Sequence, residues 1–97
     1  MEMDEYYKHY LTLHQNKWCR RLHFVGQLAT ISYVCLIVGL NMKLWSLLLA
    51  PFVIYPFAWS GHFLFEKNKP AAFSDPVKAK ISDWIMFKDM LTGRIKL

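Results

Sequence analysis

Two long apolar runs containing no Asp, Glu, Lys or Arg constrain this chain more than any other feature. Residues 22–40 read LHFVGQLATISYVCLIVGL and residues 44–65 read LWSLLLAPFVIYPFAWSGHFLF, with only Asn41, Met42 and Lys43 between them. At about 1.5 Å of rise per residue, each run in helical form reaches across a hydrocarbon core of roughly 30 Å. A soluble fold would have to wrap both runs in further helices. In a chain of 97 residues, of which 55% are apolar, the remainder is too short and too polar for that. Gly26, Gly39, Pro51, Pro56 and Gly61 are compatible with membrane helices, where Gly and Pro are more frequent than in soluble ones. Pro51 and Pro56 are expected to bend the second run.

Three residues between the runs allow only a tight reversal. The predicted fold is therefore an all-α membrane protein: a two-span antiparallel transmembrane hairpin, one domain over residues 1–97, with spans at about 22–40 and 44–65. Lys17, Arg20 and Arg21 precede the first span and Lys67, Lys69, Lys78 and Lys80 follow the second, against Lys43 alone at the turn. The positive-inside rule then places both termini in the cytoplasm, at the inner membrane if the source is bacterial. This collar accounts for much of the net charge of +5 and suits anionic headgroups. A nucleic-acid partner is excluded, because the basic residues flank spans and follow no recognition motif. No cleaved signal peptide is expected, since MEMDEYYKHY is acidic and aromatic.

The flanking segments have helical patterns of their own. Asp75 and Pro76 suit an N-cap and a first helical position, and Gly93 a stop, so an amphipathic helix is expected over about 76–92. Its apolar stripe is Val77, Ile81, Trp84, Ile85 and Met90 or Leu91, which is expected to lie on the cytoplasmic membrane surface. The N-terminal DEYYKHYLTLH carries Tyr7, Tyr10, Leu11 and His14 on one stripe and is expected to do the same. Cys19 and Cys35 stand too far apart on one helix to pair and are read as free thiols.

The histidines point to a site. His23 lies nineteen residues before Met42 and His62 twenty after it, so an antiparallel hairpin sets both at the same depth, just inside the cytoplasmic boundary. Ionisable residues within a span usually face the protein interior and often mark function. Glu66 stands one turn beyond His62 and shares its helix face. His14 is nine residues before His23, on the opposite side of a continuous helix, so it joins the site only if the chain breaks in QNKWC, where Asn16 suits a helix interior poorly. His9 falls off that stripe and is read as exposed.

HQNKWCRRLHFVG, AWSGHFLFEKNKPAAFSDP and DWIMFKDMLTG together resemble the DUF962, or Mpo1-like, family of small membrane proteins over residues 7–93, most specifically in the stretch GHFLFEKNKPA. The resemblance implies an iron(II)-dependent dioxygenase of lipid α-oxidation that converts a 2-hydroxy fatty acid to the acid one carbon shorter. It implies His14, His23 and His62 as the metal-linked histidines, with Glu66 and Asn68 supporting the site. Arg20, Arg21 or Lys67 are positioned to attract the substrate carboxylate, so Glu66, Arg20 and Arg21 are the expected catalytic residues. Three imidazoles also accept zinc. The competing class is a non-catalytic hairpin that binds lipid or a partner protein. A serine hydrolase is disfavoured, since there is no G-x-S-x-G. Two spans enclose little volume, which leaves room for a homo-oligomer completing a pocket.

Overall fold

The structure is a computed structural model describing residues 2–96, and among these it is helical with no strand. Helix α1 (Met3–Thr12) leads through a short joint to α2 (Lys17–Gly39). The second run then changes character along its length: a 3-10 segment (Leu44–Phe52), helix α3 (Tyr55–Gly61) and a π-helical turn (His62–Glu66). A short 3-10 turn (Ala71–Phe73) leads to α4 (Pro76–Leu91). Pro51 and Pro56 remove two N–H donors that an unbroken α-helix would use, and the hydrogen-bond pattern changes around them.

Helix α2 ends in a Schellman arrangement. Asn41 takes a left-handed φ of 54°, the Met42 N–H donates to the Ile37 carbonyl at 3.0 Å and the Asn41 N–H to Val38 at 3.4 Å. The chain thereby reverses, and α2 packs along the returning run. Three contacts set the antiparallel register: Tyr33 donates to the Ser46 carbonyl at 2.8 Å, Gly26 faces Ile54, and Gly61 faces Cys19. Both glycines are needed for closeness, since a Cβ on Gly26 would come within 2.8 Å of Ile54 and one on Gly61 within 3.0 Å of Cys19 Sγ.

Residues 17–39 and 44–66 are long and apolar enough to cross a membrane, and only 28% of each apolar window is buried. The core helix of a soluble protein would be mostly covered. Here Leu36, Val38, Leu48, Phe52, Phe63 and Leu64 face outward instead.

The largest buried cluster lies at one end of the hairpin, where Tyr6 and Tyr10 of α1 meet Ala79, Met86 and Met90 of α4. Polar contacts tie the two helices: Tyr7 donates to Asp89 at 2.7 Å and Tyr10 to Asp83. Of the apolar stripe on α4, Val77, Ile81, Trp84 and Leu91 point outward, the side an amphipathic helix turns to a membrane surface, whereas Met90 is buried with Ala79, Ser82, Asp83, Met86 and Phe87 on the face that packs against α1 and α2. The expectation corrected here is that for α1: its stripe with Tyr10 and His14 turns inward instead of lying on a surface, because Tyr10 finds Asp83 and the α4 cluster there.

Candidate metal centre

The joint between α1 and α2 brings the first imidazole into place. Helix α1 stops at Thr12, and the Asn16 side chain caps α2 by accepting the Trp18 N–H at 2.8 Å. Between them His14 turns inward and is 1% exposed. Three side chains hold this joint: Asn68 donates to the Leu13 carbonyl at 3.1 Å, Arg20 donates to the carbonyls of His14 at 3.1 Å and Gln15 at 2.9 Å, and Glu66 accepts the Asn16 N–H.

His14, His23 and His62 form a triangle with ring centroids 4.6, 4.5 and 5.1 Å apart. All three are buried. They enclose, with Tyr10, Tyr55 and Asp83 among the other lining residues, a cavity of about 10 Å³, close to the size of one water or ion.

Each ring is oriented by an oxygen behind it. Nδ1 of His14 donates to the Tyr10 carbonyl at 2.7 Å, Nδ1 of His23 to the Cys19 carbonyl at 2.8 Å, and Nδ1 of His62 to Asn68 Oδ1 at 2.7 Å. The Asn68 amide is itself oriented by its donation to Leu13. With the proton on Nδ1, every neutral imidazole presents the Nε2 lone pair to its neighbours. Nε2 of His14 and Nε2 of His23 stand 3.2 Å apart. Two lone pairs at that distance repel unless a proton or a metal cation lies between them. Burial, reinforced by the His23 imidazole, pushes His14 down to about 2, which keeps it neutral and available as a ligand. The donor set thus fits a metal ion, and the carbonyls behind the rings are the usual outer support of such a site.

Cys19 completes a buried group of four, whose candidate ligand atoms all lie within 4.8 Å of one another and can hold a metal ion. Its Sγ lies 3.8 Å from Nδ1 of His23, behind that ring, and packs against Gly61. The sequence reading treats it only as a free thiol, which it is.

The remaining candidates stand elsewhere. Glu66 and Arg20 brace the joint, and Arg21 lies over the Trp18 ring at 4.6 Å; none of the three lines the imidazole cavity. Two residues of the site escape sequence reasoning. Tyr10 stacks on His14 with centroids 3.9 Å apart, and its hydroxyl donates to Asp83, a cavity residue on α4. The only available signal for Asp83 is an acid inside the apolar stretch ISDWIMF.

Asn68 gains its position from the residue before it. Lys67 takes a left-handed φ of 57°, which turns the chain back so that the Asn68 N–H donates to the His62 carbonyl at 3.2 Å while its side chain holds the same residue's ring. The π-helical turn that begins at His62 is a form found frequently at functional sites.

In comparison with known protein families, residues 1–95 fit the family model described as Mpo1-like, 2-hydroxy-palmitic acid dioxygenase Mpo1-like. No curated protein and no solved structure matches the chain.

Proposed function

This chain belongs to the Mpo1-like family, and we propose that it is an integral membrane, iron(II)-dependent dioxygenase that shortens 2-hydroxy fatty acids by one carbon. The observation that carries this reading is the convergence of three imidazoles whose Nδ1 atoms are all committed to oxygen acceptors. His14, His23 and His62 would hold the ion through Nε2. When bound, iron(II) supplies oxygen activation and a docking point for the carboxylate and hydroxyl oxygens of the substrate. The reaction balances with dioxygen as the only oxidant: C1 leaves as carbon dioxide, C2 becomes the new carboxyl carbon, and water is the other product.

The chain's own residues orient and exclude. The three backing oxygens hold the rings inward, and Tyr10 covers His14 with its ring. Glu66, Asn68 and Arg20 keep the His14 joint closed over the end of the hairpin. The two apolar runs are read as membrane spans with both termini cytoplasmic, which sets the site where lipid meets water and gives an insoluble acid access to it.

The test is elemental analysis of protein purified anaerobically in detergent, for the parent and a His14, His23, His62 to Ala triple variant. Near-stoichiometric iron in the parent alone, followed by oxygen uptake with 2-hydroxyhexadecanoate, is the expected result. Zinc in place of iron, or no metal in the parent after reconstitution with iron(II), would sink the dioxygenase reading and leave the lipid- or partner-binding hairpin.

A further inference from the structure

The imidazole cavity has a larger neighbour. A second cavity of about 300 Å³ stands at the lower end of the range for small-molecule sites, about 300–1,000 Å³. It is built by the same three elements. On α2, Gln27 follows His23 by four residues and on the second run Pro51 precedes Tyr55 by four, so the cavities succeed each other along the hairpin; on α4, Lys80 and Trp84 directly follow Ala79 and Asp83, on the adjoining side of the helix.

The second cavity has two polar features on a mostly apolar lining. Gln27 is 1% exposed, and its amide nitrogen has no hydrogen-bond partner among the described residues. Buried donors are almost always paired, so this one is left for an acceptor that the chain does not supply. Lys80 donates to the Pro51 carbonyl at 2.6 Å and its ammonium lies 4.5 Å from the Tyr55 ring centroid. Since Tyr55 lines the first cavity and Lys80 the second, this pair sits where the two adjoin. Thr30 is not a further donor, because its hydroxyl is committed to the Gly26 carbonyl at 2.9 Å. Beyond these groups, Val34 and Ala50 carry the cavity along the apolar runs.

We propose that this second cavity is the chain-binding slot of the enzyme: it holds the carboxyl-proximal methylenes of a long-chain 2-hydroxy acid whose head reaches the imidazoles. The Gln27 amide donates to a head oxygen, and the Lys80 ammonium offsets the carboxylate charge. The proposal rests on the function proposed above. It assigns to Lys80 the role that charge alone suggests for Arg20 and Arg21, both of which are engaged away from the cavity.

The test uses full-length, iron-loaded protein under anaerobic conditions, so that binding is read without turnover. Affinities are measured for 2-hydroxyhexadecanoate and for 2-hydroxybutanoate, in the parent, Val34→Trp and Gln27→Leu, with iron content as the control. Each methylene shut out of an apolar site weakens binding several-fold, so Val34→Trp should weaken the long acid by at least about tenfold. It should leave the short acid and the iron unchanged. Gln27→Leu should weaken both acids and leave the iron in place.

A hexadecanoate carrying a diazirine near its carboxyl end gives an independent reading in the parent, which holds even if a variant fails to fold. Labelling at Val34, Ala50 or Trp84 supports the slot. Labelling confined to outward residues such as Leu36 and Phe52, with unchanged long-acid affinity in Val34→Trp, overturns it and marks a water-filled void, while the proposed reaction stands. If the iron-loaded parent binds no 2-hydroxyhexadecanoate, both the slot and the substrate reading fall.

Discussion

A neutral imidazole has one nitrogen that donates and one that accepts, and at each of the three histidines the donor is already committed to an oxygen. Their acceptors are therefore pooled in one buried space. The residue with most control over this is Asn68, which holds His62 from behind with its side chain and the Leu13 joint with its amide. Asn68→Ala should lower iron(II) affinity by about 10–100-fold, and Asn68→Asp, which keeps an acceptor oxygen, should recover part of that; equal affinity in parent and Asn68→Ala by competitive chelator titration would refute the role. A second expectation concerns Asp83, whose carboxyl burial pushes up to about 6, against an ordinary 3.8. Because the folded value is the higher one, its contribution to stability is full below about pH 4 and is lost as pH rises through about 6. Asp83→Asn keeps a neutral side chain throughout. The parent's melting temperature in detergent should fall between pH 5 and 7, and that component should vanish in the variant. A parent-like fall in Asp83→Asn would assign the pH dependence to other groups.

Close approach of the two apolar runs depends on glycines more than on the long side chains around them. At Gly61 an added methyl would meet both Sγ and the backbone Cα of Cys19, at 3.0 and 3.1 Å, and a backbone atom cannot swing aside. Gly61→Ala should cost about 1–3 kcal/mol. Since His62 is the next residue, it should also loosen the metal site. Gly39→Ala is the matched control: nothing lies within 4 Å of its added Cβ, and alanine is the better helix former by up to about 1 kcal/mol. Thermal unfolding of both variants in one detergent checks the contrast; equal melting points would mean that the runs do not pack this tightly. At this scale the sequence reveals the helices but misplaces one face, that of α1. Its stripe with Tyr10 and His14 is buried against α4 and the imidazoles, whereas the apolar stripe of α4 is turned mostly away from the protein, where an apolar surround satisfies it as well as a core would.

Across the whole molecule, the basic residues at one end of the hairpin and the lone Lys43 at the other set the expected orientation. One introduced cysteine at a time, in a Cys35→Ala background that keeps only the buried Cys19, reads it directly. Lys43→Cys should react with a membrane-impermeant maleimide in intact cells, and Thr92→Cys only after permeabilisation. The reverse pattern would invert the topology and move the imidazole end to the other face of the membrane. The N- and C-terminal helices close that end together, through Tyr7 to Asp89 and Tyr10 to Asp83, and α4 is held to α2 by the stacked rings of Phe24 and Phe87 at 4.9 Å.

What the sequence determined by itself was set by length, apolarity and spacing. Two uncharged runs and a three-residue link leave only a hairpin, and nearly equal distances from Met42 put His23 and His62 at one level. HQNKWCRRLHFVG, DWIMFKDMLTG and above all GHFLFEKNKPA suggested the family that residues 1–95 match. Contacts between residues far apart in the chain are not encoded in any local pattern, and those only the tertiary structure decided. It fixed which way His14 turns after α1, committed Glu66 and Arg20 to bracing that turn rather than facing the cavity, and drew Asp83 from α4 into the site. The reason is physical: a buried polar group must find a partner wherever the fold provides one. Helix periodicity reports which residues share a face, not which distant oxygen or ring meets that face.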